Sequence, residues 1–106
     1  MFFKTIPSVS GTEAAAYVGK PGIAFIDVRT PDEYATGHAT GAENVPLQQF
    51  SPAVVEKLKN YETVYVICQS GGRSSNATSH LLAEKINAIN VSGGTSAWRA
   101  AGLPMQ

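Results

Sequence analysis

The sequence predicts an α/β domain, and three observations carry the prediction. Helix and strand signals alternate from end to end. Two runs, IAFIDV (23–28) and TVYVI (63–67), are almost continuously apolar, the mark of strands buried on both faces. The segments between strands are of helix length, which calls for parallel pairing through crossover helices on both faces of the sheet. With 106 residues, the chain supports a single domain spanning 1–106.

The elements follow in order. Phe2 to Ile6 is a candidate short strand. Ser10 and Glu13 have capping-box spacing and open a helix whose Ala14, Tyr17 and Val18 share a face, ended by Lys20-Pro21-Gly22. After IAFIDV, Thr30-Pro31-Asp32-Glu33 sets a capping threonine, a proline at the first helical position and a glutamate at the third. That helix stops at Gly37, and Ala42 to Val45 is a brief strand. Ser51-Pro52 opens a helix with Val54, Val55 and Leu58 on one side. TVYVI, dense in β-branched residues, is the strongest strand. Beyond a Gly-containing loop, Ser74 reads as the cap of a helix reaching about Ile86, with Ala77, Leu81 and Leu82 inward. A short strand, Ala88 to Val91, and a helix around Ala97 and Trp98 complete the pattern.

Composition narrows the function. Eight basic residues balance eight acidic ones without a cationic cluster, so the electrostatic footprint of a nucleic-acid or anionic-membrane partner is missing. There is no apolar run long enough to span a bilayer. Phe2-Phe3 is too short for a signal-peptide core, so a cytoplasmic location is expected. A single cysteine, Cys68, rules out an internal disulfide, a CxxC redox pair and a Cys-rich zinc site. His38 and His80 lack metal-motif spacing, and neither a metal nor a cofactor is expected.

Ligands of open α/β sheets bind beyond the carboxyl ends of the strands. There one strand delivers Asp27 and Arg29, and another delivers Cys68. The segment CQSGGRS (68–74) joins a buried strand to a helix through a tight turn, in which Gly71 and Gly72 let the backbone curl so that successive amides face a common centre. Such a nest at a helix N-terminus binds anions and lowers the pKa of a cysteine at its first position. Arg73 adds a positive charge, making Cys68 the candidate nucleophile for an anionic substrate. Each residue also has a plainer reading. A lone cysteine after a strand is commonly a small buried hydrophobe, and Arg73 alone reads as an ion-pair partner. Asp27 and Arg29 can pair with each other and cap loops. His38 reads as a turn residue bonded to backbone, His80 as a solvated helix residue, and Trp98 as core.

Three motifs, DVRTPDEYATGHATGAENVP (27–46), CQSGGRSS (68–75) and VSGGTSAWRAAGLP (91–104), resemble in order and spacing the single-domain rhodanese family of sulfurtransferases. The resemblance covers nearly the whole chain. It implies a central parallel five-stranded sheet and an active-site loop whose cysteine, Cys68, carries sulfur as a persulfide. It assigns Gln69, Ser70, Gly71, Gly72, Arg73 and Ser74 to substrate binding, Asp27 and Arg29 to support of the site, and His38 to the Gly-His position that follows. It further implies ping-pong transfer of sulfane sulfur from thiosulfate or a persulfide to a thiophile: cyanide in an assay, a thiol or a protein acceptor in a cell. With no second cysteine to resolve the persulfide, the acceptor is external.

Two departures from the family pattern stand out. Gln69 and Ser70 are neutral where donor-preferring members often carry an extra cation, which favours a low-molecular-weight or protein persulfide over thiosulfate. Glu43 occupies a commonly apolar position and reads as a local surface change. Three other functions compete. A cysteine phosphatase or arsenate reductase would place five residues between cysteine and arginine, whereas four intervene here and Ile67 precedes the cysteine. A non-catalytic rhodanese-like interaction module, or a sulfur carrier to a protein partner, would use the same fold.

Overall fold

A computed structural model describes residues 5–106. Five strands form one sheet in the order β1-β5-β4-β2-β3, with every neighbouring pair parallel. They are β1 (Ser8–Val9), β2 (Ile23–Asp27), β3 (Glu43–Asn44), β4 (Thr63–Ile67) and β5 (Ala88–Val91). Five helices connect or follow them: α1 (Gly11–Ala15), α2 (Pro31–Ala35), α3 (Pro52–Leu58), α4 (Gly72–Ala83) and α5 (Gly94–Ala100). This is the expected parallel five-stranded sheet.

Its two faces separate the core. Ile26, Val64 and Val66 pack on Val55 and Leu58 of α3 and on Leu81 of α4. Phe25, Tyr65 and Ile67 pack on Ala14 of α1 and Trp98 of α5. Adjacent residues of β2 and β4 thus serve opposite layers, so both strands read as unbroken apolar runs. Trp98 is core as expected: it is 2% exposed, meets Phe25 at 5.5 Å between ring centroids, and donates its indole N–H to the Pro104 carbonyl at 2.8 Å.

The helix starts follow their caps. Thr30 accepts from the Glu33 amide while Glu33 reaches back to the Thr30 amide, a complete capping box for a helix of five residues. Helices this short owe their stability to caps and packing rather than to propensity. Ser10 and Ser51 cap α1 and α3 by the side-chain half of that motif, each accepting an amide three residues on.

Four expectations change. The strand expected over Phe2 to Ile6 lies mostly outside the described residues; Thr5 and Ile6 are not in a strand, and the pairing falls at Ser8–Val9. Tyr17 is 44% exposed rather than inward, because α1 ends at Ala15 and the chain turns before Tyr17 can share its buried face. Ser74 is not the cap of α4. The cap is Gly71, whose φ of 112° places it in the left-handed region, and Ser74 lies inside the first turn. The same helix ends at Ala83, before Ile86, since Lys85 turns to a φ of 64°.

Candidate active site

Cys68 follows the last residue of β4, the central strand, and is 1% exposed. The α4 helix begins four residues later, and its first internal bond runs from the Ser75 amide to the Gly71 carbonyl. The amides of Gly72, Arg73 and Ser74 are therefore left over by the helix, and the positive end of its dipole is directed at the loop. The Gly71 amide donates to Cys68 Sγ at 3.1 Å. Burial pushes the Cys68 thiol pKa up. Hydrogen bonds from the Ser74 hydroxyl and from the Ser74, Gly71 and Ser70 amides outweigh burial and bring it below its ordinary value.

The carbonyls of the loop are turned the other way. Cys68 O accepts from the Thr95 amide at 2.8 Å and the Thr95 hydroxyl at 3.0 Å, and Gln69 O accepts from the Ser96 amide at 3.1 Å. The N-terminus of α5 thus holds both acceptors, which frees the loop amides to face the sulfur. The approach depends on Gly94: a Cβ there would lie 2.5 Å from Cys68 O and 2.6 Å from Gln69 O. Gly72, by contrast, is conformationally ordinary, and an added Cβ would meet nothing within 4 Å. Of the glycine pair expected to curl the loop, only Gly71 is needed for its backbone angle.

Ser74 is fully buried, and its hydroxyl lies 2.5 Å from Asn90 Oδ1 and 3.1 Å from Gly71 O. That one proton has Asn90 Oδ1 and Gly71 O as its acceptors in the structure, so its help to the Cys68 thiolate requires it to turn from them. Asn90, on β5, also reaches Ser8 Oγ at 3.4 Å and so ties this polar cluster to the edge strand.

Asp27 and Arg29 stand beside the loop. Asp27 is inaccessible and Arg29 2% exposed, and they form a forked ion pair with Arg29 Nε at 3.0 Å from both carboxylate oxygens and Nη2 at 2.8 Å from Oδ2. Arg29 also donates from Nη1 to Gln69 Oε1 at 3.1 Å and from Nη2 to Gly37 O at 2.8 Å. Gln69 passes the connection on, donating to Ser96 Oγ at 2.8 Å. Asn44 closes the strand end by donating to the Asp27 and Arg29 carbonyls. The pairing and loop-capping expected of Asp27 and Arg29 is what they do.

Arg73 has its charge engaged. Its guanidinium meets Glu33 end-on, with Nη1 2.6 Å from Oε1 and Nη2 2.8 Å from Oε2. Chiefly through these bonds, the Glu33 carboxyl is lowered to about 2. Both histidines make the local contacts expected of them. His38 Nδ1 bonds the Tyr34 carbonyl and its ring stacks on Tyr34, while His80 is exposed at the edge of Phe50. Glu43 is exposed, consistent with a surface change.

Sequence reading missed Glu33, Asn90, Gly94, Thr95 and Ser96. The signal for the last three was present in SGGTS (92–96), where paired glycines precede two hydroxyl residues at a helix start.

Comparison with known proteins places this geometry. Residues 10–101 match the Rhodanese-like domain. The chain is 36% identical over 111 residues to Thiosulfate sulfurtransferase 16, chloroplastic, from Arabidopsis thaliana, covering 93% of this chain and 92% of that protein. It is 31% identical to Rhodanese-like domain-containing protein 15, chloroplastic, from the same plant, spanning 95% of this chain but 62% of the relative. Among solved structures, a thiosulfate sulfurtransferase from Pseudomonas aeruginosa superposes with a TM-score of 0.85 at 30% identity, over 96% of this chain and 19% of that one.

Proposed function

The chain belongs to the rhodanese-like family, and from that premise we propose that it is a sulfurtransferase that carries sulfane sulfur on Cys68. The observation that carries this reading is the cysteine's position at the N-terminus of α4, where the Gly71 amide donates to its sulfur and the thiol pKa is lowered. A thiolate so placed attacks the outer sulfur of thiosulfate. The Cys68 Sγ–S bond forms, the bond between the outer and central sulfur atoms breaks, and its electron pair leaves with sulfite. The product, Cys68–S–S⁻, carries one negative charge at its terminal sulfur, facing the amides of the loop and the helix dipole. An external thiophile then attacks that terminal sulfur and the Cys68 thiolate returns, a ping-pong cycle.

In this reading Gln69, Ser70, Gly71, Gly72, Arg73 and Ser74 form the substrate cradle. Asp27 and Arg29 hold it in place through Gln69. The four-residue spacing between Cys68 and Arg73 and the engagement of Arg73 by Glu33 favour sulfur over a tetrahedral oxyanion. A phosphatase or arsenate reductase needs that arginine fork free for its substrate. Among the described residues no helix is long and apolar enough to cross a membrane. Small donors and thiol acceptors, or a protein acceptor, are the partners this chemistry calls for.

Intact-protein mass spectrometry tests the proposal. Brief incubation with thiosulfate or glutathione persulfide is expected to add one sulfur atom at Cys68, removable by cyanide, and Cys68→Ser is expected to lose the addition with an unchanged melting temperature. Failure of both donors to load the wild-type protein would instead favour a binding module.

A further inference from the structure

The cation of the Cys68 loop is not free. Arg73, the second residue of α4, presents the planar end of its guanidinium to Glu33 with two short bonds, and the two side chains are 40% and 35% exposed. Glu33 is held in that pose from behind, because its Oε1 also accepts from the Thr30 amide at 3.2 Å and the Thr30 hydroxyl at 3.1 Å. The carboxylate is thus fixed by the helix cap of α2 and does not swing away as a loose surface side chain would. The cation of the segment CQSGGRS is consequently one half of a neutral pair. Of the other fixed cations nearby, Arg29 is buried and already matched by Asp27. With Arg73 matched by Glu33 and Arg29 by Asp27, a second negative charge on an incoming donor gains no free guanidinium from the cysteine loop and relies on the loop amides and the helix dipole.

We infer that Glu33 sets donor specificity by charge: by neutralising Arg73 at the lip of the Cys68 loop, it disfavours a dianionic sulfur donor such as thiosulfate relative to a donor of the same sulfur chemistry with one negative charge. The inference rests on Cys68 being the nucleophile of the proposed reaction. Its consequence for the reaction is a difference between two donors that present the same outer sulfur. From thiosulfate, the Cys68 thiolate takes the outer sulfur and sulfite leaves. From methanethiosulfonate, it takes the same sulfur and methanesulfinate leaves, with the same bonds made and broken and one charge fewer on the donor.

Glu33→Gln isolates the charge, since glutamine retains an oxygen for the Thr30 amide and the capping box tolerates either residue. In this variant kcat/KM is expected to rise about tenfold for thiosulfate and about threefold for methanethiosulfonate, both gains shrinking at high salt. A second readout does not depend on sulfur transfer: the ratio of Cys68 alkylation rates by iodoacetate and iodoacetamide, in which the thiolate fraction cancels. Glu33→Gln is expected to raise that ratio about threefold, and Arg73→Gln, which leaves Glu33 bare, to lower it by a similar factor. An alkylation ratio unmoved in both variants would overturn the inference, as would a thiosulfate gain no larger than the methanethiosulfonate gain. Absence of any persulfide from either donor, with the alkylation ratio still moving as expected, would overturn the sulfurtransferase reading and leave Glu33 as the charge filter of a cysteine site.

Discussion

Thr95 donates twice to one atom, the carbonyl oxygen of Cys68, with its amide at 2.8 Å and its hydroxyl at 3.0 Å. A peptide unit has two ends, and fixing where its carbonyl points fixes where the following amide points as well. The orientation of the amides around the sulfur is thus set in part from outside the loop, by a helix that starts after the last strand.

Gly94 makes that contact possible, and Gly94→Ala is expected to be the most damaging single-methyl change at the site. Its φ of 59° and the 2.5 Å approach of a new Cβ to Cys68 O leave no room, because the neighbour is backbone. The loop or α5 must shift, with a loss of about 2 kcal/mol or more. Urea unfolding would read the loss. The alkylation rate of Cys68, measured under native conditions, is expected to change with it, and a variant with wild-type stability and reactivity would contradict the role given to Gly94.

The Ser74 hydroxyl heads the interactions that hold down the Cys68 thiol pKa against burial. Removing it in Ser74→Ala is expected to move the pH midpoint of Cys68 alkylation upward, toward or beyond the free-cysteine value of about 8.5. Ser74→Thr, which keeps the hydroxyl, is expected to restore much of the shift. The alanine variant also leaves the buried Asn90 carbonyl oxygen without its donor, at a cost of about 1–3 kcal/mol. The two effects separate, since one is read from a pH profile and the other from unfolding.

For Asp27 the expectation concerns stability first. Asp27→Asn keeps shape and removes the charge that matches a 2% exposed guanidinium, so Arg29 becomes an unpaired buried cation. Breaking a buried pair in this way costs about 3–5 kcal/mol. Because Arg29 also holds Gln69 and Gly37, the variant is expected to loosen the loop, visible as faster hydrogen exchange at the loop amides. A loss below 1 kcal/mol would mean the pair is not the keystone its geometry suggests.

Glu33 gives a pH signature. Its carboxyl is lowered to about 2, chiefly by hydrogen bonds from Arg73, from an ordinary value of 4.5. A depressed folded-state pKa contributes stability that is fully present above the ordinary value and is lost as pH falls through the folded one. The window for this pair therefore lies between about pH 4.5 and pH 2, and the contribution is small because both side chains are partly solvated. A carbon-detected NMR titration of Glu33 is expected to show a midpoint near 2, moving up to the ordinary range in Arg73→Ala.

Much of this was legible in the sequence for a physical reason. IAFIDV and TVYVI declare themselves because burial on both faces removes polar residues from consecutive positions, a local signal. The capping box at Thr30 and Glu33 is local too, as is the Cys-to-helix turn. What was not legible depends on partners far along the chain. Glu33 and Arg73 are 40 residues apart, so Arg73 could be read as an ion-pair partner but its acid could not be named. Strand β1 is two residues whose identity is conferred by pairing with Asn90 and Val91, not by its own pattern. Tyr17 has helical spacing from Ala14 but lies past the end of α1, where periodicity no longer describes direction.

The double grip of Thr95 on Cys68 spans 27 residues, and it makes the loop a poor candidate for transplantation. Moving CQSGGRS to another strand–helix junction would transfer the nucleophile, the left-handed glycine and the arginine. It would leave behind the abutting helix start that aims the first two carbonyls away from the sulfur. A designer borrowing this chemistry has to take two separate stretches of chain and the close packing of glycine backbone between them.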